Sequence, residues 1–330
     1  MSRRRGEFEL IAELLAPLAA EGAFGLTDDA ALLPAAPDGM AWVATKDAMV
    51  CARHFLPGDP PDLVARKLLR VNLSDLAAMG ARPQGYLMST AWPDDIADSW
   101  ITTFVDGLSA DQQTYGIGLY GGDTVSTPGP MTLTVTALGL VPRDGVLRRN
   151  GARTGDDIWV SGTLGASALG LRVLYGQLSL EPEMAEALVL SYRLPQPRVE
   201  LGPALIGIAS ACMDISDGLV ADLGHIAEAS GVGARIAMED LPLSPLVRAC
   251  LTDHPELARL PLSGGDDYEL LFTAPPGDRN RVAEVAEQAA TTVRRIGQVL
   301  DRSELSGDAA VEVTAAGRPL PAGPAGWRHF

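Results

Sequence analysis

The stretch that decides the fold runs from residue 60 to residue 91 and reads PPDLVARKLLRVNLSDLAAMGARPQGYLMSTA. Asp62 follows two prolines and is a typical helix start, apolar residues recur at helical spacing as far as Met79, and Gly80 stands where helices commonly end. The run from Gly85 to Ala91 is typical of a strand. A helix that leads directly into a strand predicts a domain that combines both in layers.

The sequence on either side of this stretch continues the alternation. It predicts strands at 42–50, 117–120 and from Met131 onward, a helix near 101–115, and an amphipathic N-terminal helix with Phe8, Ile11, Leu15 and Leu18 on one face. The order strand, helix, strand, helix, strand, strand indicates a mixed α/β first half.

The second half alternates again. Strands are predicted at 158–160, 234–237, 269–273, 292–299 and 310–313, and helices at 166–175, 183–192, 219–229 and 279–290. Between the halves, residues 143–157 read RDGVLRRNGARTGDD and favour a junction. We therefore expect two domains, residues 1–145 and residues 146–330.

The charge balance limits the classes of partner. The chain has 330 residues and a formal net charge of −16, which argues against nucleic acid as the main partner. Its only lysines are Lys46 and Lys67, so a phosphate loop of the G-x-x-x-x-G-K-[ST] kind is excluded. No stretch has the length and apolar character of a membrane span, because the longest uncharged run contains Pro128 and Pro130.

Cysteine and histidine usage also constrains the chemistry. Three cysteines without C-x-x-C spacing fit a reducing, cytoplasmic compartment and argue against a thiolate metal site. The four histidines lack metal-ligand spacing, which disfavours a zinc site. His54 differs from the others because it lies in a loop rich in proline and glycine that suits substrate contact, although a structural role is equally open.

The informative feature is the placement of the aspartates. They cluster at glycine-flanked turns or element ends, or lie inside apolar elements, at Asp28, Asp29, Asp47, Asp75, Asp123, Asp214, Asp217, Asp266 and Asp267. Asp47 and Asp75 are the least compatible with a simple surface role, because a carboxylate in an apolar element costs free energy unless it is paired or metal-bound. For any single motif a turn or a helix cap is the favoured reading.

Taken together, these aspartates favour a site for hard cations. Mg²⁺ is usually held by one or two carboxylates and by substrate phosphates, so aspartates from both halves suit two or more ions that bridge a nucleoside triphosphate. Without a phosphate-loop lysine, metal ions and arginine would supply the positive charge.

These motifs, in this order, resemble the thiamine-monophosphate kinase family. The matching stretches are GEFELI, TDDAALL, TKDAMV, RHFLPGDPPDLVARKLLRVNLSDLAAMGARP, YGGDT, RNGARTGD, DISDGLVADLGHI, SGGDDYELLFT and the terminal GWRHF. They span essentially the whole chain, and the NLSDLAAMGA and DISDGL segments together are specific.

The resemblance implies an α+β (mixed α/β) fold of two domains, shared with aminoimidazole ribonucleotide synthetase and selenophosphate synthetase. Residues 1–145 would form the metal- and ATP-binding domain, whose sheet pairs in a homodimer, and residues 146–330 a C-terminal α/β sandwich. It also implies ATP as co-substrate, several Mg²⁺ ions, and phosphorylation of thiamine monophosphate to thiamine diphosphate by direct in-line transfer.

The resemblance also implies roles at individual positions. The metal ligands would be Asp29 (with its neighbour Asp28), Thr45, Asp47, Asp75, Asp123, Asp214 and Asp217. The ATP contacts would be Gly122, Asp123, Arg149 and Ser216, and the substrate contacts His54, Asp266 and Trp327. Asp47, Asp75, Asp123 and Arg149 would carry the catalysis.

Three positions depart from the family pattern. Lys46 stands where members often have Thr, Asp266 replaces a frequent Glu, and Thr27 replaces a usual Gly.

Two related families fit the sequence less well. Selenophosphate synthetase would need a reactive residue close to the N-terminus, whereas the first cysteine here is Cys51. Hydrogenase-maturation relatives end in a cysteine, whereas this chain ends in Phe330.

The expected reaction needs no general base, because the second pKa of a phosphate ester is about 6 and its oxygen is already deprotonated at neutral pH. This expectation agrees with a chain rich in aspartate and poor in histidine. Two other readings stay open from the sequence: a Mg²⁺-dependent phosphohydrolase that uses the same aspartates, and a non-catalytic nucleotide-binding sensor.

Overall fold

The computed structural model of the chain describes residues 5–307, 309–321 and 326. The chain divides into two compact units, one comprising Met1–Leu76 and Ala81–Arg143, the other Ala77–Gly80 and Asp144–Phe330. Each unit has its own sheet.

The first unit is a sheet with helices. Its strands are β1 (Met40–Val50), β2 (Arg82–Pro93), β3 (Gly118–Thr127) and β4 (Thr132–Pro142), and its helices are α1 (Glu7–Leu10), α2 (Pro61–Ala78) and α3 (Asp98–Tyr115). The last two residues of α2 group with the second unit. The predicted strand at 42–50 and the predicted helices near 62–79 and 101–115 are confirmed.

The sheet of the first unit has the strand order β1-β4-β2-β3. Strand β4 is antiparallel to both β1 and β2, and β2 is parallel to β3. Connections between parallel strands are nearly always right-handed, so the connecting helices α2 and α3 fall on one face. Side chains on that face, such as Leu133 and Val135, are fully buried, whereas Leu87 on the other face is 41% exposed.

Helices α2 and α3 are held together by a buried ion pair. Asp111 on α3 is fully buried and accepts bonds from Arg70 Nε at 2.6 Å and Arg70 Nη2 at 3.0 Å. Arg66 Nε donates to the same carboxylate at 2.9 Å. Because two guanidinium groups share one carboxylate, the desolvation cost of the buried charges is offset by hydrogen bonding.

The N-terminal segment departs from the prediction of one amphipathic helix. Only Glu7–Leu10 is α-helical, and the chain continues as a π-helix at Ile11–Leu15 and a 3₁₀-helix at Ala16–Leu18. Pro17 breaks the α-helical pattern, because proline removes a backbone donor and clashes with the preceding turn. Leu15 and Leu18 are buried as expected, but Phe8 is 82% exposed.

The second unit contains more elements. Its strands are β5 (Asp157–Ser161), β6 (Ala211–Asp214), β7 (Gly233–Ala237), β8 (Leu270–Ala274), β9 (Val293–Leu300), β10 (Val311–Ala315) and β11 (Arg318–Pro319). Its helices are α4 (Ala166–Leu174), α5 (Pro182–Arg193), α6 (Leu201–Ala204), α7 (Leu219–Ser230), α8 (Pro245–Asp253), α9 (Leu260–Ser263) and α10 (Arg279–Gln288).

The sheet of the second unit has the order β11-β10-β7-β9-β5-β8-β6 and is covered on both faces. Leu271 of the interior strand β8 packs in one core cluster with α7, whereas its neighbours Leu270 and Phe272 pack in another with α6 and α10. This alternation confirms the expected α/β sandwich. The sequence prediction lacks strands β6 and β11 and helices α6, α8 and α9.

Among the described residues, none of the helices combines the length and apolar character that a membrane span requires.

Candidate active site

In the first unit, the structure brings together three of the predicted metal ligands. Because side chains alternate along a strand, β1 directs Thr45 and Asp47 toward α2 and Lys46 toward the opposite face. Thr45 Oγ1 donates a hydrogen bond of 2.5 Å to Asp75 Oδ2 on α2. The backbone N–H of Asp47 donates to Asn72 Oδ1 at 3.0 Å, so the fully buried Asn72 holds β1 one turn before Asp75.

The electrostatics of this group favour a cation. Burial and, to a smaller extent, the negative charge of the neighbouring Asp75 together raise the pKa of Asp47 to about 6. Two carboxylates and a hydroxyl are hard oxygen donors of the kind that Mg²⁺ prefers. The donor set therefore fits a divalent metal ion, which would remove the repulsion between Asp47 and Asp75.

The other face of the same sheet carries a cavity of about 700 Å³ that is lined by both polar and apolar side chains. Asp28, Asp29, Lys46 and Asp123 line it, together with hydroxyl groups that include Ser89. Its volume lies in the range of small-molecule sites. Asp29 and Asp123 therefore line the face of the sheet opposite to Asp47 and Asp75, and the predicted ligand set of the first unit falls into two groups.

Asp123 lies inside a strand, whereas the sequence favours a turn after Gly121 and Gly122. The strand predicted at 117–120 continues to Thr127, because Gly122 allows β3 to approach β2 closely. A Cβ atom at Gly122 would lie 1.7 Å from the carbonyl oxygen of Met88. The close approach of the two strands therefore requires glycine at position 122, in addition to its predicted contact with ATP.

In the second unit, the DISDG segment forms a loop between β6 and α7. Asp214 ends β6 and is buried, whereas Ser216 and Asp217 follow it in the loop. One oxygen of Asp222, in the first turn of α7, accepts bonds of 3.1 Å from the backbone N–H groups of Ser216, Asp217 and Gly218. Asp222 therefore fixes the loop that carries Ser216 and Asp217.

Asp222 and His225 also belong to this group, although they are not among the ligands predicted from the sequence. Burial raises the pKa of Asp222 to about 7, against the lowering effect of its bond from the Gly218 N–H. Ligand atoms of Asp217, Asp222 and His225 all lie within 4.8 Å of one another. The signal was available in DISDGLVADLGHI, because positions 222 and 225 share a face of α7 one turn apart.

The loop that carries Asp266 docks against the DISDG loop. The backbone N–H of Asp266 donates to Ser216 O at 2.9 Å, and that of Tyr268 donates to Ile215 O at 2.8 Å. Asp266 and Tyr268 have φ of +65° and +50°, and the Tyr268 hydroxyl donates to Asp266 Oδ1 at 3.1 Å. The structure thus brings Asp266 together with Ser216 and Asp217.

Asp267 anchors the same loop from inside the unit. Burial raises its pKa well above the ordinary value, and its carboxylate accepts the backbone N–H of Gly165 at 3.0 Å. The sequence predicts no role for Asp267. Asp267 is buried, whereas Asp266 is only partly buried.

Arg149 is not brought together with Ser216. It is exposed, and its carbonyl oxygen accepts the Ser230 hydroxyl at 3.4 Å, at the end of α7 opposite to Ser216. The helix has 12 residues, which corresponds to about 18 Å. A role for Arg149 toward ATP therefore remains a prediction.

Two further substrate contacts are predicted from the sequence, His54 and Trp327. His54 lies half-buried in the loop between β1 and α2, where its Nδ1 accepts the Val50 N–H at 3.0 Å. Trp327 lies outside the described residues.

Comparisons with known proteins place these residues in a family. A model of AIR synthase related protein, N-terminal domain, matches residues 27–141, and one of AIR synthase related protein, C-terminal domain, matches residues 153–309. The thiamine-monophosphate kinase of Caulobacter vibrioides is 42% identical over 98% of this chain and 90% of its own length.

Solved structures agree with these matches. A thiamine-monophosphate kinase from Stenotrophomonas maltophilia K279a is 40% identical, with a TM-score of 0.79 over 89% of this chain and 91% of its own. AaThiL complexed with AMPPCP and TMP is 30% identical, with a TM-score of 0.77 over 100% of both chains.

Proposed function

Because this chain belongs to the thiamine-monophosphate kinase family, we propose that it transfers the γ-phosphoryl group of ATP to thiamine monophosphate, which yields ADP and thiamine diphosphate. A structural relative that is similar over its full length carries an ATP analogue and TMP. The protein is thus a kinase of thiamine biosynthesis that uses ATP as co-substrate.

The observation that carries this function in the chain itself is the group formed by Thr45, Asp47 and Asp75. These oxygen donors lie on adjacent elements, and the bond of 2.5 Å between Thr45 and Asp75 joins β1 to α2. Such a group suits phosphoryl transfer, in which catalysis consists of positioning and charge neutralisation rather than covalent chemistry.

Mg²⁺ is the metal that we infer for the enzyme. Asp47, Asp75 and Thr45 would hold it in the first unit, with Asp29 and Asp123 as a second group, and Asp214 and Asp217 are the proposed ligands of the second unit. When bound, Mg²⁺ supplies positive charge that neutralises the donor and acceptor phosphates.

The chain's own residues would then bind and orient the reactants. Gly122, Asp123, Arg149 and Ser216 are the proposed contacts to ATP, and His54, Asp266 and Trp327 those to thiamine monophosphate. Since the acceptor phosphate is already deprotonated at neutral pH, none of these residues has to remove a proton. We propose direct in-line transfer, with Asp47, Asp75, Asp123 and Arg149 as the catalytic set.

We further propose a cytoplasmic homodimer. The three cysteines, Cys51, Cys212 and Cys250, are free thiols, which supports a reducing compartment. The face of the first sheet that α2 and α3 leave open carries exposed apolar side chains, among them Leu87 and Val125. Pairing of two such faces would cover this apolar surface.

The reaction is tested by incubating the protein with ATP labelled at the γ-phosphate, Mg²⁺ and thiamine monophosphate, and by separating the products chromatographically. We expect label in thiamine diphosphate, ADP in equal amount, and little free phosphate when the acceptor is omitted. Free phosphate as the main labelled product would instead indicate a phosphohydrolase, and ATP binding without turnover would indicate a sensor.

A further inference from the structure

The open face of the first sheet presents polar side chains in rows that cross the strands. Lys46 on the edge strand β1 is in register with Thr136 on β4. From the other edge, Asp123 of β3 is in register with Ser89 of β2, and Ser89 with Thr134 of β4. Residues in register project to the same face of a sheet, so an ammonium group and a carboxylate stand at opposite edges of this face with hydroxyl groups between them.

Lys46 is the one cation among the described residues that line the cavity on this face. The carboxylates in the same lining are Glu7, Asp28, Asp29 and Asp123. Four carboxylates and one ammonium group give the lining a formal net charge of −3. A polyanion therefore enters this cavity only together with cations that offset the negative charge.

The ammonium group of Lys46 is available to a ligand. Lys46 is exposed, and within the described part of the chain it makes no hydrogen bond and no ion pair. Its neighbours Thr45 and Asp47 project to the opposite face of β1, so they do not occupy it. An ammonium group on a flexible stem has three donors, and those of Lys46 are free to bind a molecule in the cavity.

The chemistry of the lining indicates a polyphosphate bound together with metal ions. Ammonium and hydroxyl groups donate directly to phosphate oxygens, whereas carboxylates hold them only through divalent cations. The cavity offers both kinds of group, and its volume of about 700 Å³ suits a molecule of nucleotide size. Gly122 and Asp123, which are proposed contacts to ATP, line the same cavity.

We propose that Lys46 binds the triphosphate of ATP in this cavity and supplies positive charge that a further Mg²⁺ ion would otherwise have to bring. The inference rests on the proposed function and deepens it, because it adds a direct protein cation to the metal ions at the phosphates. The chain lacks a phosphate loop, and a lysine on a strand takes over the charge of the lysine that such a loop would carry.

The contact is tested by calorimetric titration with AMPPCP at a limiting concentration of free Mg²⁺. Lys46→Met keeps the length of the side chain and removes the charge, so the Kd should rise about tenfold or more, as for loss of a hydrogen bond to a charged group. Lys46→Arg keeps the charge and should stay within about threefold of the wild type. Arg143→Met is the matched control, because it removes a positive charge from an exposed residue of the same unit that does not line the cavity. Its Kd should equal that of the wild type.

The magnesium dependence tests the second half of the proposal. The slope of the logarithm of the association constant against the logarithm of free Mg²⁺ concentration counts the ions taken up when AMPPCP binds. Without the ammonium group the phosphates should recruit more Mg²⁺, so the slope in Lys46→Met should be steeper by on the order of one ion. The loss of affinity should shrink accordingly as Mg²⁺ rises. A purely structural role of Lys46 would weaken binding equally at every Mg²⁺ concentration.

Three results would overturn the proposal. They are an unchanged affinity for AMPPCP in Lys46→Met, equal slopes in the variant and the wild type, and weaker binding of thiamine monophosphate in place of AMPPCP. If Lys46 instead paired with an acid of a second copy of the chain, Lys46→Met would lower the mass in solution and leave the affinity for AMPPCP unchanged, which also contradicts it.

The titrations with AMPPCP need neither the acceptor nor turnover. A wild type that binds AMPPCP through Lys46 but forms no thiamine diphosphate would refute the proposed function and leave the role of Lys46 intact. A wild type that forms thiamine diphosphate, with the same affinity for AMPPCP in Lys46→Met, would do the reverse. The two failures are therefore distinguishable.

Discussion

At the scale of single residues, Asp47 and Asp75 place the strongest demand on their surroundings. Burial raises the pKa of Asp47, and the like charge of Asp75 acts in the same direction. The free-energy cost of such a pair has to be offset, and we infer that bound metal ions offset it. Both predictions at this scale follow from that demand.

Replacement of Asp75 by Asn should abolish most of the activity. The amide keeps the size of the side chain but removes the charge, and kcat should fall at least about 100-fold, equivalent to about 2.7 kcal/mol of transition-state stabilisation. The control is Asp106→Asn, an exposed aspartate on α3, which should keep normal turnover. Near-normal turnover of Asp75→Asn at saturating Mg²⁺ would refute the metal assignment.

The effect of Mg²⁺ on stability should depend on pH. The folded pKa of Asp47 is about 6, above its ordinary value of 3.8, so the folded state holds an extra proton between these values. The contribution of Asp47 to stability without metal therefore falls as pH rises through this window. Since Mg²⁺ competes with the proton, the rise in Tm that it causes should grow between about pH 5 and pH 7 and then level off.

Thermal unfolding with and without Mg²⁺ at several pH values measures this effect. In Asp47→Asn the Mg²⁺-induced rise in Tm should be small and should not change over the same range. A rise in the wild type that is equally large at pH 5 and pH 8 would show that no carboxylate with a raised pKa binds the metal.

At the scale of elements, the end of α10 illustrates local strain. Ala290 has a φ of +47°, and the N–H groups of Ala290 and Thr291 donate to Glu287 O and Ala286 O, which is the pattern of a Schellman cap. Glycine is the residue that normally occupies this position, because it lacks the Cβ atom that strains a positive φ.

Ala290→Gly should therefore stabilise the protein by about 1 kcal/mol, and the gain can be measured as a shift of the unfolding midpoint in urea. Ala289→Gly is the matched control: Ala289 has a negative φ of −81°, so the same substitution one residue earlier relieves no strain and should not stabilise. Equal effects of both variants would mean that the cap conformation carries no cost.

The sequence predicted elements well where their periodicity is long and uninterrupted. Helices α2 and α3 each span 18 residues and were placed within a few residues of their ends. The four residues of β6 were missed because so short a run carries almost no pattern. In the site, each aspartate can be recognised in the sequence on its own. The hydrogen bond from Thr45 to Asp75 joins residues 30 positions apart and depends on the packing of α2 against β1, which local sequence spacing does not encode.

At the scale of the whole molecule, the open face of the first sheet predicts the oligomeric state. A mass measurement in solution should give about twice the chain mass of 34.6 kDa. Leu87→Asp places a charge on that face and should shift the protein toward the monomer, because a buried unpaired charge costs several kcal/mol. Leu190→Asp, at a leucine on α5 that is similarly exposed, should leave the mass unchanged. A wild type that is monomeric would contradict the dimer.

The formal charge of −16 also belongs to this scale. The six aspartates proposed as metal ligands form one part of it, and Mg²⁺ would neutralise that part in the working enzyme. Other acids, such as Asp111 and Asp267, are buried, and those that are exposed form a solvated surface. The sequence therefore predicts metal binding as one purpose of the charge, whereas the division of the first unit's proposed ligands between two faces of a sheet is visible only in the structure.

The scarcity of lysine gives the protein a built-in chemical handle. Lys67 is buried, whereas Lys46 is exposed and lines the cavity that also contains Asp28, Asp29 and Asp123. An amine-reactive acylating reagent should therefore modify Lys46 as its main side-chain target. The rate of that modification, followed by peptide mass spectrometry, would report directly on whether a ligand or a second subunit covers the cavity, with no dye, tag or engineered residue.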